Sequence, residues 1–213
     1  MVFKSVKEVI ESTDLNAVFS FVNRGLWFTP LTEDEDGTPN KPEALGVKTF
    51  TKTIKVPAEI YRKPDQLEQY KSNLYFGLAK QLIDALFSET STAESGIISI
   101  PSVAGVKNVS ADPLEAHDLV LRASYINGGI YFNSAHAATA GLSTKTHGTV
   151  FNKFVNIDSS QILAFGIADG SYSLWLQEDI EEHFEISENQ HYFTATIFVQ
   201  GKPTLAPAVV NKA

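Results

Sequence analysis

Residues 41–87 join a segment of alternating side chains directly to a long amphipathic helix, and this junction restricts the fold more than any other part of the sequence. Between residues 47 and 56, Val47 and three threonines fall on one side of an extended chain, while Phe50 and Ile54 fall with two lysines on the other. This is the period of a β-strand. Because neither side is wholly apolar, we expect the strand to be at least half exposed, or covered by another subunit instead of its own core.

The second half of this segment predicts a helix that begins near Pro64 and Asp65 and runs to residue 86. Proline is tolerated in the first turn, and aspartate is favoured beside its free amides. The apolar residues recur every three or four positions: Leu67, Tyr70, Leu74, Leu78, Leu82 and Leu86. At about 1.5 Å per residue the helix is roughly 30 Å long or more. Gly77 in its middle predicts a bend or the close approach of another backbone.

Composition excludes several classes of function. The chain has 213 residues, of which 43% are hydrophobic and 20% charged, which is enough for one sizeable domain or two small lobes. Its net charge of -8 argues against a surface that binds nucleic acid through phosphate neutralisation. The absence of cysteine excludes disulfides, thiolate zinc sites and cysteine nucleophiles. No apolar run is long enough to cross a bilayer or to serve as a signal peptide, so we expect no membrane partner.

The remaining segments predict a mixed α+β fold without an alternating βαβ rhythm. Residues 15–30 have a strand pattern, and with residues 47–56 they bracket an acidic turn at 31–42, so we expect a long hairpin there. Helical patterns occupy residues 3–10, 112–125 and 133–142. Further strand patterns occupy residues 129–132, 161–165, 172–176, 178–185, 191–199 and 205–210.

No motif in the sequence requires an enzyme, and we predict no catalytic residue, no cofactor-binding residue and no metal ligand. The five histidines follow no metal-binding spacing; they are His117, His136, His147, His183 and His191. Nucleophile elbows and phosphate-binding glycine loops are absent. The acidic run 33–37 lacks the spacing of a calcium loop, which favours a solvated turn tip. In residues 178–185 acids alternate with apolar residues, which predicts a strand with one wet face.

Taken in order, these segments resemble the major capsid protein of tailed bacteriophages, the family built on the Hong Kong 97 fold. QLEQYKSNLYFGLAKQLIDALF is similar to the spine helix of that family, and ADPLEAHDLVLRASYINGGIYFNSAHAATAGLSTKTHG is similar to its axial-domain pattern. The last part, from ILAFGIADGSYSLWL to the Pro-Ala-Val ending, resembles its closing strands. Residues 148–161 are shorter than the usual axial-domain insertion, and no scaffolding segment precedes the arm. A trimmed axial domain is therefore expected, with assembly guided by a separate scaffolding protein or by none.

The resemblance implies a division of the chain into four parts. These are an amino-terminal arm (1–22), an extended hairpin loop (23–56), a peripheral domain with the spine helix (57–95 and 178–204) and a reduced axial domain (96–177 and 205–213). It also implies a function. Many copies would self-assemble as pentamers and hexamers into the icosahedral head of a tailed phage, formed in the host bacterial cytoplasm and retained in the virion. The head would enclose double-stranded DNA without binding it specifically.

Further expected partners are scaffolding, portal and decoration proteins, and no cofactor is expected. Two alternatives remain open: an encapsulin-type nanocompartment shell, and a small α+β ligand-binding protein or enzyme. A projecting hairpin and an extended arm cannot bury all their apolar side chains within one subunit. The predicted subunit-interface residues are therefore Leu26, Trp27, Phe28, Phe50 and Ile54.

Overall fold

The structure is a computed structural model, and it combines helices with two larger β-sheets. It describes residues 2–13, 15, 19, 22, 46–88, 95–100, 102, 170–186 and 190–204, and the backbone of 32–33, 39–40, 106–109, 128–133, 153–155, 162–168 and 208–211. The helices are α1 (Val6–Ser12), α2 (Ala58–Tyr61) and α3 (Pro64–Leu86). The strands are β1 (Thr32–Glu33), β2 (Pro39–Asn40), β3 (Lys48–Pro57), β4 (Val106–Val109), β5 (Gly128–Asn133), β6 (Lys153–Val155), β7 (Ile162–Ala168), β8 (Tyr172–Glu185), β9 (Gln190–Pro203) and β10 (Ala208–Asn211). The mixed class predicted from the sequence is confirmed.

The longer strands form a three-stranded antiparallel sheet in the order β3-β9-β8. Pro57 and Glu185 both lie opposite Gln190, so the three strands end together at that side of the sheet. Every second residue of β9 from Phe193 to Val199 is buried on the face that packs against α3. This sheet and α3 together enclose the hydrophobic core.

The 23-residue helix α3 follows the predicted bounds and is about 35 Å long. Pro64 occupies its first turn, as expected from the missing amide hydrogen of proline. The side chain of Lys52 lies directly over Gly77, at the position that a β-carbon would occupy. The close approach predicted at this glycine is therefore made by a lysine side chain of β3, not by another backbone.

The amino-terminal helix α1, predicted from the spacing of its apolar residues, is confirmed. Ser5 caps it by accepting a 3.0 Å hydrogen bond from the amide of Glu8. The amide of Phe3 donates a 3.2 Å hydrogen bond to Ser72 Oγ, and the ring of Phe3 packs edge-on against Phe76 with centroids 5.1 Å apart. These contacts attach the beginning of the chain to α3.

The shorter strands form a five-stranded sheet in the order β4-β10-β7-β5-β6. The pairs β4–β10 and β5–β6 are parallel, and the other pairs are antiparallel. The predicted strands at 129–132, 161–165 and 205–210 correspond to β5, β7 and β10, with shifted ends. The predicted helices at 112–125 and 133–142 lie outside the described residues.

The beginning of the predicted long hairpin needs correction. Its turn is confirmed, because β1 and β2 pair antiparallel with Thr32 opposite Asn40. Within the part of the chain that is described, β3 pairs with β9, and residues 23–31, which the prediction pairs with it, lie outside the described residues. Leu15 is helical, and Phe19 lies in a 3-10 turn. The backbone amide of Val22 donates a 3.0 Å hydrogen bond to the carbonyl of Phe19. The spacing of these three apolar residues is helical, and Phe19 and Val22 are fully buried in the core.

Candidate subunit-contact surfaces

The face of the three-stranded sheet that points away from α3 carries two cross-strand threonine pairs. Thr51 and Thr196 lie opposite each other with their hydroxyl oxygens 3.1 Å apart, and Thr53 and Thr194 repeat this pairing at 2.9 Å. Thr51 and Thr53 are exposed, as the sequence alternation predicts. Cross-strand threonine pairs stabilise a sheet without an apolar layer above it, so this face can remain in water.

The opposite face of β3 carries two of the predicted interface residues. Phe50 and Ile54 are half-buried and pack against the core formed with α3. Their role between subunits stays a prediction, since within one subunit part of each side chain is already covered. The other three, Leu26, Trp27 and Phe28, lie outside the described residues.

The end of β8 is exposed on both of its faces from Asp179 to residue 186. The sequence predicts a strand with one wet face, but here neither face is covered. Ile180, Phe184 and Ile186 are 47%, 41% and 83% exposed. Sequence reasoning missed these residues as contact candidates, because apolar residues that alternate with acids are indistinguishable from core-facing ones. The separately predicted strands 172–176 and 178–185 are one continuous strand.

A cluster of aromatic and ionisable side chains closes the same end of the sheet. The rings of Tyr61 and His191 are stacked, and Phe184 lies on His191 with ring centroids 4.3 Å apart. Glu182 Oε1 is 3.6 Å from His191 Nδ1, too long for a hydrogen bond, and this buried nitrogen has no hydrogen-bond partner among the described residues. A hydrogen bond with Glu182 raises the pKa of Tyr61. The cluster attaches α2 to β8 and β9.

Glu178 connects the amino-terminal helix to the edge of the sheet. Its carboxylate accepts a hydrogen bond from the backbone amide of Val6, the first residue of α1. Burial raises the pKa of Glu178, and the hydrogen bond from Val6 opposes this shift without cancelling it. Glu178 therefore holds α1 in place, although its partly buried position disfavours the charged form of its carboxyl group.

A groove of about 530 Å³ lies between the edge strand β3 and the second half of α3. Lys48, Gln81 and Asp84 contribute polar groups to it, and Gln81 Oε1 is buried without a hydrogen-bond partner among the described residues. Across the described ranges, no three histidine, cysteine, aspartate or glutamate residues are grouped to hold a metal ion. Of the helices described, none is long and apolar enough to span a membrane.

Solved structures share this arrangement over the whole chain. A protein of Mycobacterium phage Bobi is similar with a TM-score of 0.60 and 13% identity, covering 100% of this chain and 92% of the phage protein. The capsid of the native GTA particle is similar with a TM-score of 0.58 and 12% identity, again covering 100% of this chain and 92% of the other. This chain has the Hong Kong 97 fold.

The same fold is found beyond these two particles. A chain of the holo-SrpI encapsulin complex from Synechococcus elongatus PCC 7942 is similar with a TM-score of 0.53 and 11% identity, covering 99% of this chain and 91% of that one. Comparison with protein-family models gave no match, and comparison with curated protein sequences gave none either. The likeness is therefore one of fold, with a Hong Kong 97 backbone carried by a divergent sequence.

Proposed function

We propose that this protein is a major capsid protein, which self-assembles into the icosahedral head of a tailed bacteriophage and encloses double-stranded DNA. The observation that carries the proposal is the match of the entire chain to the capsid of the GTA particle, at a TM-score of 0.58. A match over 92% of the other chain supports the role of a shell subunit more strongly than a shared motif would. The role is structural and requires no catalysis.

The exposed end of the three-stranded sheet supports assembly on physical grounds. Both faces of β8 beyond Glu178 lack cover from the described part of the chain, and Ile180, Phe184 and Ile186 are apolar. Apolar side chains grouped on a projecting strand are typical of protein-protein contacts. Repeated contacts between identical copies close into rings and shells by symmetry. We propose that these rings are pentamers and hexamers. We also propose that each subunit is divided into the arm, hairpin loop, peripheral domain and axial domain given above.

Net charge supports the enclosure of DNA without specific binding. A subunit with a formal charge of -8 repels phosphate groups, so the packaged genome would not adhere to an acidic inner wall. Scaffolding, portal and decoration proteins are proposed as separate partners. The proposed location is the virion, after assembly in the host cytoplasm.

An encapsulin-type nanocompartment is the second candidate, favoured by the likeness to the SrpI encapsulin complex. Both candidates share the fold and the shell, and they differ in what the shell contains. Co-purification of the native particles with their contents separates them, because a phage head yields DNA protected from nuclease and a nanocompartment yields a cargo protein.

Size-exclusion chromatography with light scattering tests the proposal. Purified protein is expected to elute as particles of millions of daltons, or as rings that convert to particles, and not as a 23.3 kDa monomer. A monomer at every protein and salt concentration tested would instead favour the small ligand-binding protein or enzyme.

A further inference from the structure

We propose that the groove between β3 and α3 binds a short extended peptide, which adds a strand to the free edge of β3. This site is called the strand-helix groove, and its two walls are residues 48–51 of β3 and residues 81–85 of α3. The peptide is a segment of a separate protein that associates with the shell, and in this respect the inference rests on the proposed function. It adds to that function a site for a partner other than a second copy of the chain.

The first argument is the unpaired edge of β3. Four consecutive residues, 48–51, line the groove, so the groove runs along the backbone of the strand. Among the described strands, β3 pairs with β9 alone. Alternate residues of an antiparallel pair turn their amide and carbonyl groups away from the partner strand. No other backbone group in the described ranges bonds to residues 48–51, so these outward groups can pair with an added strand.

The second argument is the helix that forms the other wall. Gln81, Asp84 and Ala85 are spaced to lie on one face of α3, and this face lines the groove. In strand addition, main-chain hydrogen bonds supply affinity, and pockets for alternate side chains supply specificity. The helix face provides such a pocket beside the strand edge. A β-carbon on Gly96 would lie 2.3 Å from the backbone nitrogen of Lys48, so the segment 95–97 closes the groove at the beginning of β3.

The third argument is a pair of polar groups that the groove leaves for a ligand. Gln81 Oε1 is buried and has no hydrogen-bond partner among the described residues, so a donor from a peptide is favoured there. Lys48 Nζ lies 5.8 Å from the centroid of the Phe50 ring and forms no ion pair with a carboxylate in the described part of the chain. Asp84 already has a contact of its own within the chain. The peptide is therefore expected to carry one acidic side chain that reaches Lys48.

The size of the groove indicates a linear segment instead of a folded subunit. Its volume of about 530 Å³ lies within the range of about 300–1,000 Å³ that is usual for small-ligand sites. Four residues of extended chain span about 13 Å, which is the length of the strand wall. A stable contact between folded proteins buries about 1,200–2,000 Å², which is much more than a groove of this length offers.

A hexapeptide library tests the site. Purified protein with the full sequence is titrated into fluorescein-labelled, amidated hexapeptides that vary at their four central positions, and fluorescence anisotropy reports binding. The best peptides are expected to bind with Kd values in the micromolar range, to contain one acidic residue and to exclude proline, which has no amide hydrogen to donate. A library in which no peptide binds with a Kd below about 1 mM would overturn the proposal.

Methylation of peptide amides tests the mode of binding. In an added strand, one set of alternate amides faces β3 and the other set faces away. Two versions of the best peptide are therefore compared, each with N-methyl groups on one of the two sets. One version is expected to bind at least about tenfold more weakly than the parent peptide, and the other is expected to bind as the parent does. Parent-like binding by both versions would contradict strand addition.

Substitutions in the groove test its location. Lys48→Glu is expected to weaken binding of the acidic peptide by about tenfold or more, because an attraction becomes a repulsion. Gln81→Leu removes the buried acceptor and is expected to weaken binding severalfold. Lys55→Glu is the matched control, since Lys55 is exposed on the same strand but does not line the groove. Circular dichroism and thermal unfolding confirm that each variant folds, and Lys48→Met replaces Lys48→Glu if that variant unfolds.

The outcomes separate this inference from the proposed function. If Lys48→Glu and Gln81→Leu bind the peptide as the wild type does, the peptide binds elsewhere and the groove is wrongly assigned. If intact shells hold a strand of a neighbouring copy in this groove, the assignment to a separate protein is wrong. Shells that form from a protein without any peptide ligand would leave the proposed function standing and overturn the inference alone. Peptide binding by a protein that never forms particles would confirm the groove and overturn the proposed function, together with the shell origin of the peptide.

Discussion

Tyr61 and His191 lie face to face, with their ring centroids 3.4 Å apart and 5° between the ring planes. The two residues are far apart in the sequence, and their stacking holds α2 against the end of the three-stranded sheet. Glu182 contacts both, through its hydrogen bond with Tyr61 and its 3.6 Å approach to His191 Nδ1. The cluster therefore joins α2 to both β8 and β9 within one subunit.

Glu182→Gln is expected to lower the pKa of Tyr61 toward its ordinary value of 10.0. The carboxylate raises this pKa by accepting a hydrogen bond from the phenol and by repelling the phenolate, and a neutral amide does not repel it. The difference in tyrosinate absorbance between variant and wild type across alkaline pH measures the effect. Glu181→Gln, on the opposite face of the same strand, is the control. Identical titration of all three proteins would contradict the placement of Glu182.

Gly201→Ala is expected to destabilise the subunit by about 1–3 kcal/mol, through overpacking. A β-carbon at Gly201 would lie 2.7 Å from Tyr172 Oη and 2.8 Å from Tyr172 Cε1. That ring cannot move easily, because it is fully buried and its hydroxyl donates a 2.9 Å hydrogen bond to the carbonyl of Ile98. Denaturant unfolding measures the change.

Gly77→Ala is the matched comparison and is expected to leave stability unchanged or to raise it by up to about 1 kcal/mol. The three atoms nearest to the new methyl group all belong to the Lys52 side chain, whose end can move away. Alanine also favours the helix more than glycine does. A loss as large as that of Gly201→Ala would show that Lys52 is held rigidly over the helix.

Glu178→Gln is expected to raise the stability at neutral pH relative to the wild type. Burial raises the folded pKa of Glu178 above its unfolded value, so stability is lost as the pH rises through the folded pKa. Glutamine has no such pH dependence, and its side-chain oxygen still accepts a hydrogen bond from the amide of Val6.

Glu178→Ala removes that acceptor, and it is expected to lower the free energy of unfolding by about 1–3 kcal/mol at every pH. Thermal unfolding at a series of pH values checks both variants. A wild type that gains stability above the folded pKa would contradict this account.

Deletion of residues 32–42 is expected to abolish or strongly weaken shell formation while the subunit stays folded. The segment contains the hairpin of β1 and β2, which pairs locally, and loops of this kind tolerate change without loss of the core. Circular dichroism reports folding, and particle yield reports assembly. Replacement of residues 34–38 by glycine and serine keeps the loop length and separates length from sequence. Particles of normal yield after the deletion would contradict the role of this loop.

Local periodicity predicted the elements that build the core. The spacing of Leu74, Leu78 and Leu82 predicted the helix α3, and the alternation of side chains around Phe50 predicted the two faces of β3. Such patterns identify the face of an element that is buried, but not the strand beside it. The pairing of β3 with β9 was not predicted, because it depends on tertiary packing between distant segments.

The contact surfaces were less predictable for the same reason. Ile180 and Phe184 carry the pattern of core residues, and only the extent of the covering helix leaves them exposed. The stacking of Tyr61 on His191 joins segments that no local signal connects.

Electron microscopy of the purified wild-type protein tests the central claim most directly, which is that identical copies of this chain form a closed container. The account predicts hollow particles of uniform size with icosahedral symmetry. A field of single subunits, with no rings or shells at any concentration examined, would contradict it.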